Sequence, residues 1–154
     1  MIDFLRTFAD RTHHLKEEKI LFPAIDATTF FPGCGLIYEH KEGRERVRAM
    51  AEAVERLSRG DTEAVRIFVR KARSYIALLR AHIAKEDDCL ASYVARSFSR
   101  EQRETLTREF EEMERREIGE QVFERFAAVV EVLEARYSEA GSQNADVSAN
   151  PAKP

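Results

Sequence analysis

The sequence predicts an all-α protein folded as an antiparallel, up-and-down helical bundle. Apolar residues recur at helical spacing over long stretches, with almost no strand-like alternation. Glycine and proline are scarce, 6 and 4 among 154 residues, and they cluster between those stretches. The connections they leave are short, and short connections place successive helices side by side and antiparallel. A chain that is 44% apolar and 34% charged has enough material for one domain with a proper core.

The first helix is expected from about Asp3 to Ile25, with Asp3 as its cap and Leu5, Phe8, Leu15 and Phe22 on its apolar stripe. Pro23 lies near its end, and Pro32, Gly33 and Gly35 mark the following loop. The second helix is expected over about Leu36 to Ser58, stopped by Gly60. Asp61 then caps a long third helix, about Thr62 to Ser97. Ser99 and Gln102 have capping-box spacing and open a fourth helix. Gly119 breaks it, and a last segment runs from Glu120 to Tyr137 with an apolar stripe of Val122, Phe126, Val129, Val130 and Leu133. The expected organisation is one helical domain, 1–137, and a disordered tail, 138–154, rich in Gly, Ser, Asn, Ala and Pro.

Charge and cysteine content narrow the function classes. Lys and Arg total 25 and Asp and Glu 28, so no basic field exists to bind nucleic acid. No run approaches the roughly 18 apolar residues that span a membrane. The N-terminal residues lack the basic and apolar regions of a signal peptide. Cys34 and Cys89 form neither a disulfide framework nor a C-x-x-C pair, which points to a reducing, cytoplasmic setting.

The four histidines, His13, His14, His40 and His82, carry the chemistry. Aligning the Lys-Glu steps of HHLKEE and HIAKED sets His13 on His82 and Glu17 on Glu86. Each motif is then His-x-x-x-Glu followed by a second acid. Residues four apart share a helix face. From His82 that face leads back through Leu78, Tyr75 and Phe68, and from His13 it leads to Ala9 and Ile2, so both motifs sit on stripes a bundle should bury. Burying carboxylates costs several kcal/mol each unless they are paired or metal-bound. Imidazole and carboxylate together suit iron, manganese or zinc. A single His-x-x-x-Glu is weak evidence, because such pairs usually lie in solvent. Two matched copies, with His40 on a third helix, make a metal site the stronger reading. His14 lies about 100° around the helix from His13 and reads more readily as a surface or supporting group than as a ligand. Glu18 and Asp87 read as solvated or supporting acids, Cys89 as a structural thiol, Tyr75 as core and Arg44 as an ion-pair partner.

The segments HHLKEEKILFP (13–23), EHKEGR (39–44), AHIAKED (81–87) and DFLRTFAD (3–10) resemble the hemerythrin-like, or HHE cation-binding, domain family. The resemblance spans roughly Ile2 to Tyr137. It implies a four-helix bundle with a non-haem di-iron centre whose ligands are His13, Glu17, His40, His82 and Glu86, with the two glutamates bridging the irons. It also implies a small diatomic or peroxide ligand: dioxygen binding, sensing of nitric oxide or oxidants, or a stress response. The alternatives are an iron-dependent enzyme of peroxide or nitric oxide detoxification or iron-centre repair, and a zinc-binding or metal-free interaction module. One departure stands out. The family usually carries a further helix, with one more His, before the DFLRTFAD segment. Four expectations follow: a start further upstream, a second copy completing the bundle as a homodimer, the segment Glu120 to Tyr137 filling the gap, or an incomplete site.

Overall fold

A computed structural model describes residues 1–26, 35–117 and 119–146. Five helices account for nearly all of them, and there is no strand among the described residues. Helix α1 is continuous over residues 2–26, α2 spans Leu36–Ser58, α3 is continuous over residues 64–97, α4 spans Arg100–Glu117 and α5 spans Glu120–Asp146. The expected loop with Pro32, Gly33 and Cys34 lies outside the described residues.

The turn chemistry explains where the helices stop. Gly60 takes a left-handed φ of 93°. There its N–H reaches the Leu57 carbonyl (3.0 Å) and the Asp61 N–H reaches the Arg56 carbonyl (3.1 Å). That is a complete Schellman closure of α2, and it requires a backbone conformation that glycine adopts without strain. The Asp61 carboxylate then accepts the Glu63 N–H at 3.1 Å. Thr62 and Glu63 are spent in this turn, so α3 begins at Ala64, two residues later than expected. Ser99 and Gln102 close a capping box at the start of α4. The Ser99 N–H donates to Gln102 Oε1 (2.8 Å), and the Gln102 N–H donates to Ser99 Oγ (3.2 Å). Asp3 is not a cap; α1 starts one residue earlier, and Asp3 lies in its first turn.

Residues 1–117 form one compact unit and 118–154 another. In the first, two apolar clusters set the direction of each helix. Phe22 and Ile25 of α1, Leu36 of α2, Leu90 of α3, and Phe98 and Leu106 pack at one end. Val47 and Met50 of α2 and Tyr75 of α3 pack towards the other, with Ile2 and Leu5 of α1 and Phe68 of α3 against them. Helix α1 therefore runs from the second cluster to the first, α2 returns, and α3 runs back again. Helix α4 descends from Phe98 and Leu106 and lies against α1, where Lys16 Nζ donates to Glu114 Oε2 at 3.0 Å. The expected up-and-down order holds. A polar layer between the two clusters contains Thr12, His14, Glu17, His40 and His82, all buried.

In the second unit, α5 follows Gly119, whose φ of 73° supplies the break read from the sequence. The helix continues nine residues beyond Tyr137, to Asp146. That stretch is poor in apolar residues but contains no proline before Pro151, so nothing in it forces the helix to stop. Of the expected tail, residues 147–154 lie outside the described residues.

Two features of winding bear on the polar layer. Leu5–His14 and Glu17–Leu21 of α1, and Glu86–Leu90 of α3, are wound as π-helix. The Thr12 hydroxyl donates to the Thr7 carbonyl five residues back, at 2.8 Å. Each π turn holds roughly one residue more than the ~3.6 of an α-helix, and such stretches recur at functional sites.

Candidate metal centre

Within the polar layer, ligand atoms of Glu17, His40, His82 and Glu86 all lie within 4.8 Å of one another. Helix α1 supplies Glu17, α2 supplies His40, and α3 supplies His82 and Glu86 across the junction between its α and π windings. His40 Nε2 stands 3.2 Å from Glu17 Oε2, and His82 Nε2 stands 2.8 Å from Glu86 Oε1. Both nitrogens are buried, and neither completes a hydrogen bond. Short separations with poor hydrogen-bond alignment fit atoms that aim at a common point. Two ligand atoms about 2.1 Å from one ion and at right angles to each other stand about 3 Å apart.

The outer nitrogens are firmly held. His40 Nδ1 pairs with Glu18 Oε1 at 2.8 Å, and His82 Nδ1 pairs with Glu39 Oε2 at 3.0 Å. Each of these carboxylates is pinned by a cation. Arg44 Nη2 donates to Glu18 at 2.9 Å while its Nε donates to Asp10 at 2.6 Å, and Lys85 donates to Glu39. A carboxylate behind an imidazole fixes the ring and its tautomer and makes the inner nitrogen a better donor. Reading Arg44 as an ion-pair partner and Glu18 as a supporting acid agrees with this geometry. Glu39 went unrecognised, although it is the neighbour of His40, because its partner lies on another helix.

The remaining sequence candidates are placed as follows. His13 is half-exposed, with Nε2 at 3.4 Å from Glu86 Oε1 and 3.9 Å from Glu17 Oε1. It borders the buried group. His14, read as a surface or supporting group, is buried instead, with its ring stacked on His40 at a centroid distance of 3.9 Å. His14 stands three residues before Glu17, a spacing at which helical side chains share a face, and both are buried. Tyr75 is core, as expected, and Cys89 is partly buried against the Phe22–Leu90 cluster.

Two cavities reach the centre. One, about 790 Å³, runs past His13, Glu17 and Glu86 between mixed walls, apolar at Leu21, Leu90, Leu106 and Phe110 and charged at Lys16, Asp87 and Arg103. The other, about 520 Å³, reaches His14 and Tyr75 among Arg6, Arg11, Lys41, Arg44 and Arg48, with only Asp10 and Glu45 as acids.

The carboxylates of the layer favour the protonated form of two of its histidines. The hydrogen bond to Glu86 raises the pKa of His13 above 6.5 despite burial. Burial lowers that of His82, but the adjacent Glu86 and Glu39 carboxylates outweigh the effect and leave it raised. Burial pushes the Glu86 carboxyl up, while the adjacent His13 and His82 rings hold it well below its ordinary 4.5. His14 differs: burial drives its pKa below 6.5. In the metal-free chain the raised histidines contribute stability below about pH 6.5 that is lost as pH rises through their folded values. The Glu86 contribution is present above 4.5 and lost on strong acidification. A metal needs the nitrogens free of protons, so it competes with this pairing. Metal affinity is therefore expected to rise with pH, on the order of tenfold per unit for each proton displaced. Chelator competition at several pH values, with proton release followed alongside, checks this. A flat profile would contradict it.

A helical bundle with a buried His/Glu centre between two apolar layers is the architecture of a metal-binding domain. The chain belongs to the hemerythrin HHE cation-binding family, whose domain model matches residues 1–94. That span carries every residue of the centre and ends within α3. No curated protein and no solved structure matches the chain. No helix among the described residues is long and apolar enough to cross a membrane.

Proposed function

We propose that this protein is a non-haem di-iron protein that interacts with dioxygen, nitric oxide or peroxide. The observation that carries the reading is the buried Glu17–His40–His82–Glu86 group, whose inner nitrogens lack hydrogen-bond partners. A mixed imidazole and carboxylate donor set suits iron, and the family is a cation-binding one. Once bound, iron supplies the redox chemistry and the affinity for small oxygen- or nitrogen-containing molecules. The chain's own residues do the rest. Glu18 and Glu39 orient His40 and His82, and Arg44 and Lys85 hold those carboxylates.

Protein produced with ample iron should carry about two irons per chain, as carboxylate-bridged centres in bundles do. It should also show ferric charge-transfer absorption in the near ultraviolet and visible. Colourless, iron-free protein whose melting temperature ignores chelation would overturn the reading in favour of a metal-free interaction module. Zinc at the same residues without iron would favour a zinc-binding one.

A further inference from the structure

Three histidines in the polar layer each face a carboxylate, hydrogen-bonded for His40 and His82 and at 3.7 Å, without a hydrogen bond, for His14. His40 has Glu18 behind its outer nitrogen, and Arg44 holds Glu18. His82 has Glu39 behind it, and Lys85 holds Glu39. His14 has Asp10 behind it, with Nδ1 at 3.7 Å from Oδ1, and the same Arg44 holds Asp10 at 2.6 Å. His13 differs on every count. Its side chain is 50% exposed against 6% for His14, and its Nε2 faces Glu86 itself. Both ring nitrogens of His14 are buried without a hydrogen-bond partner. An unsatisfied imidazole is costly to bury, and His14 lies within the ligand-atom spacing of His40 and His82. Stacking on His40 does not satisfy a nitrogen lone pair.

We infer that His14 is a metal ligand, sharing one ion with His40 and His82 through the ring nitrogen that Asp10 does not face, and that His13 lies outside this three-histidine position. The inference rests on the metal-binding reading above and changes its ligand set. Glu17 and Glu86 then complete the same position from the carboxylate side, and Arg44 is the shared brace for two of the three rings. The adjacent pair His13-His14 is thereby divided. His14 belongs to the buried ion, and His13 belongs to the mouth of the larger cavity.

Cobalt(II) titration of the full chain tests this by affinity and by magnetic resonance. In the wild-type cobalt form, three strongly shifted, exchangeable imidazole N–H resonances are expected, from His14, His40 and His82, and His14→Gln should remove one of them. His14→Gln should also weaken cobalt binding by more than the ~10–100-fold that loss of an outer support costs. His13→Gln should weaken it less than His14→Gln does, by no more than the ~10–100-fold of a lost outer support, since that ring meets Glu86 and not the ion. Asp10→Asn, which keeps the imidazole and loosens its support, should weaken binding by roughly tenfold, and it serves if His14→Gln does not fold. Full affinity in both His14→Gln and Asp10→Asn, or loss confined to His13→Gln, would overturn the assignment while leaving a metal-binding protein. A wild-type chain that takes up neither cobalt nor iron would overturn this inference together with the function proposed above.

Discussion

Glu86→Ala is expected to leave a folded chain that no longer retains metal. Glu86 Oε1 is the carboxylate oxygen nearest His82 Nε2, at 2.8 Å, and it also meets His13 Nε2 at 3.4 Å. Its removal takes one of the two anionic donors from the four-residue group and leaves Glu17 alone to balance the charge of a cation. The loss should exceed the ~10–100-fold that follows removal of an outer support. Alanine is the best helix former, so the substitution does not break α3 at this point. The raised pKa of His82 should also fall, because the Glu86 carboxylate is its largest upward influence. Elemental analysis beside a circular-dichroism melt separates loss of metal from loss of fold. Wild-type metal content in Glu86→Ala would remove this residue from the centre.

His40→Ala should have the largest effect on stability in the absence of metal. His40 is fully buried. It stands between Glu17 Oε2 at 3.2 Å and Glu18 Oε1 at 2.8 Å, carboxylates on an adjacent helix. Truncation leaves Glu17 Oε2 buried without its nearest base, opens a cavity against Phe22, and returns Glu18 to Arg44 alone. Breaking a buried pair in this way costs about 3–5 kcal/mol. Urea unfolding of the chelated protein should show a fall of about that size in the unfolding free energy extrapolated to water, read as a lower midpoint with the slope unchanged. A change below about 0.5 kcal/mol, the usual range for a surface substitution, would mean that the buried pairing is not what supports the layer. His40→Gln should recover part of the loss, since its amide can still donate to Glu18.

The helices were legible because their ends are chemical. The Ser99–Gln102 box, the Gly60 closure and the Gly119 break each depend on a few adjacent residues, and each is found where the sequence put it. The residues of the centre were legible because two matched His-x-x-x-Glu motifs and a third His recur on stripes that must be buried. The facing of α1 was not legible. Spacing alone admits both His13, four residues before Glu17, and His14, three before it, to the same face, and only the packing decides that His14 is the buried one. The supports were also beyond reach. Glu39 meets His82 across 43 positions, and Arg44 meets Asp10 across 34. No local pattern records those pairings.

The unequal walls of the two cavities divide what can reach the buried histidines. The larger one is lined by both charges in balance, Lys16 and Arg103 with Glu17, Glu86 and Asp87, beside apolar residues, and so favours neither sign strongly. The smaller one surrounds His14 with five basic side chains against two acidic ones, an electrical funnel for small anions. A reagent's sign should therefore select its door. Raising salt should slow an anionic reagent arriving beside His14 while leaving the arrival of a neutral one beside His13 unchanged.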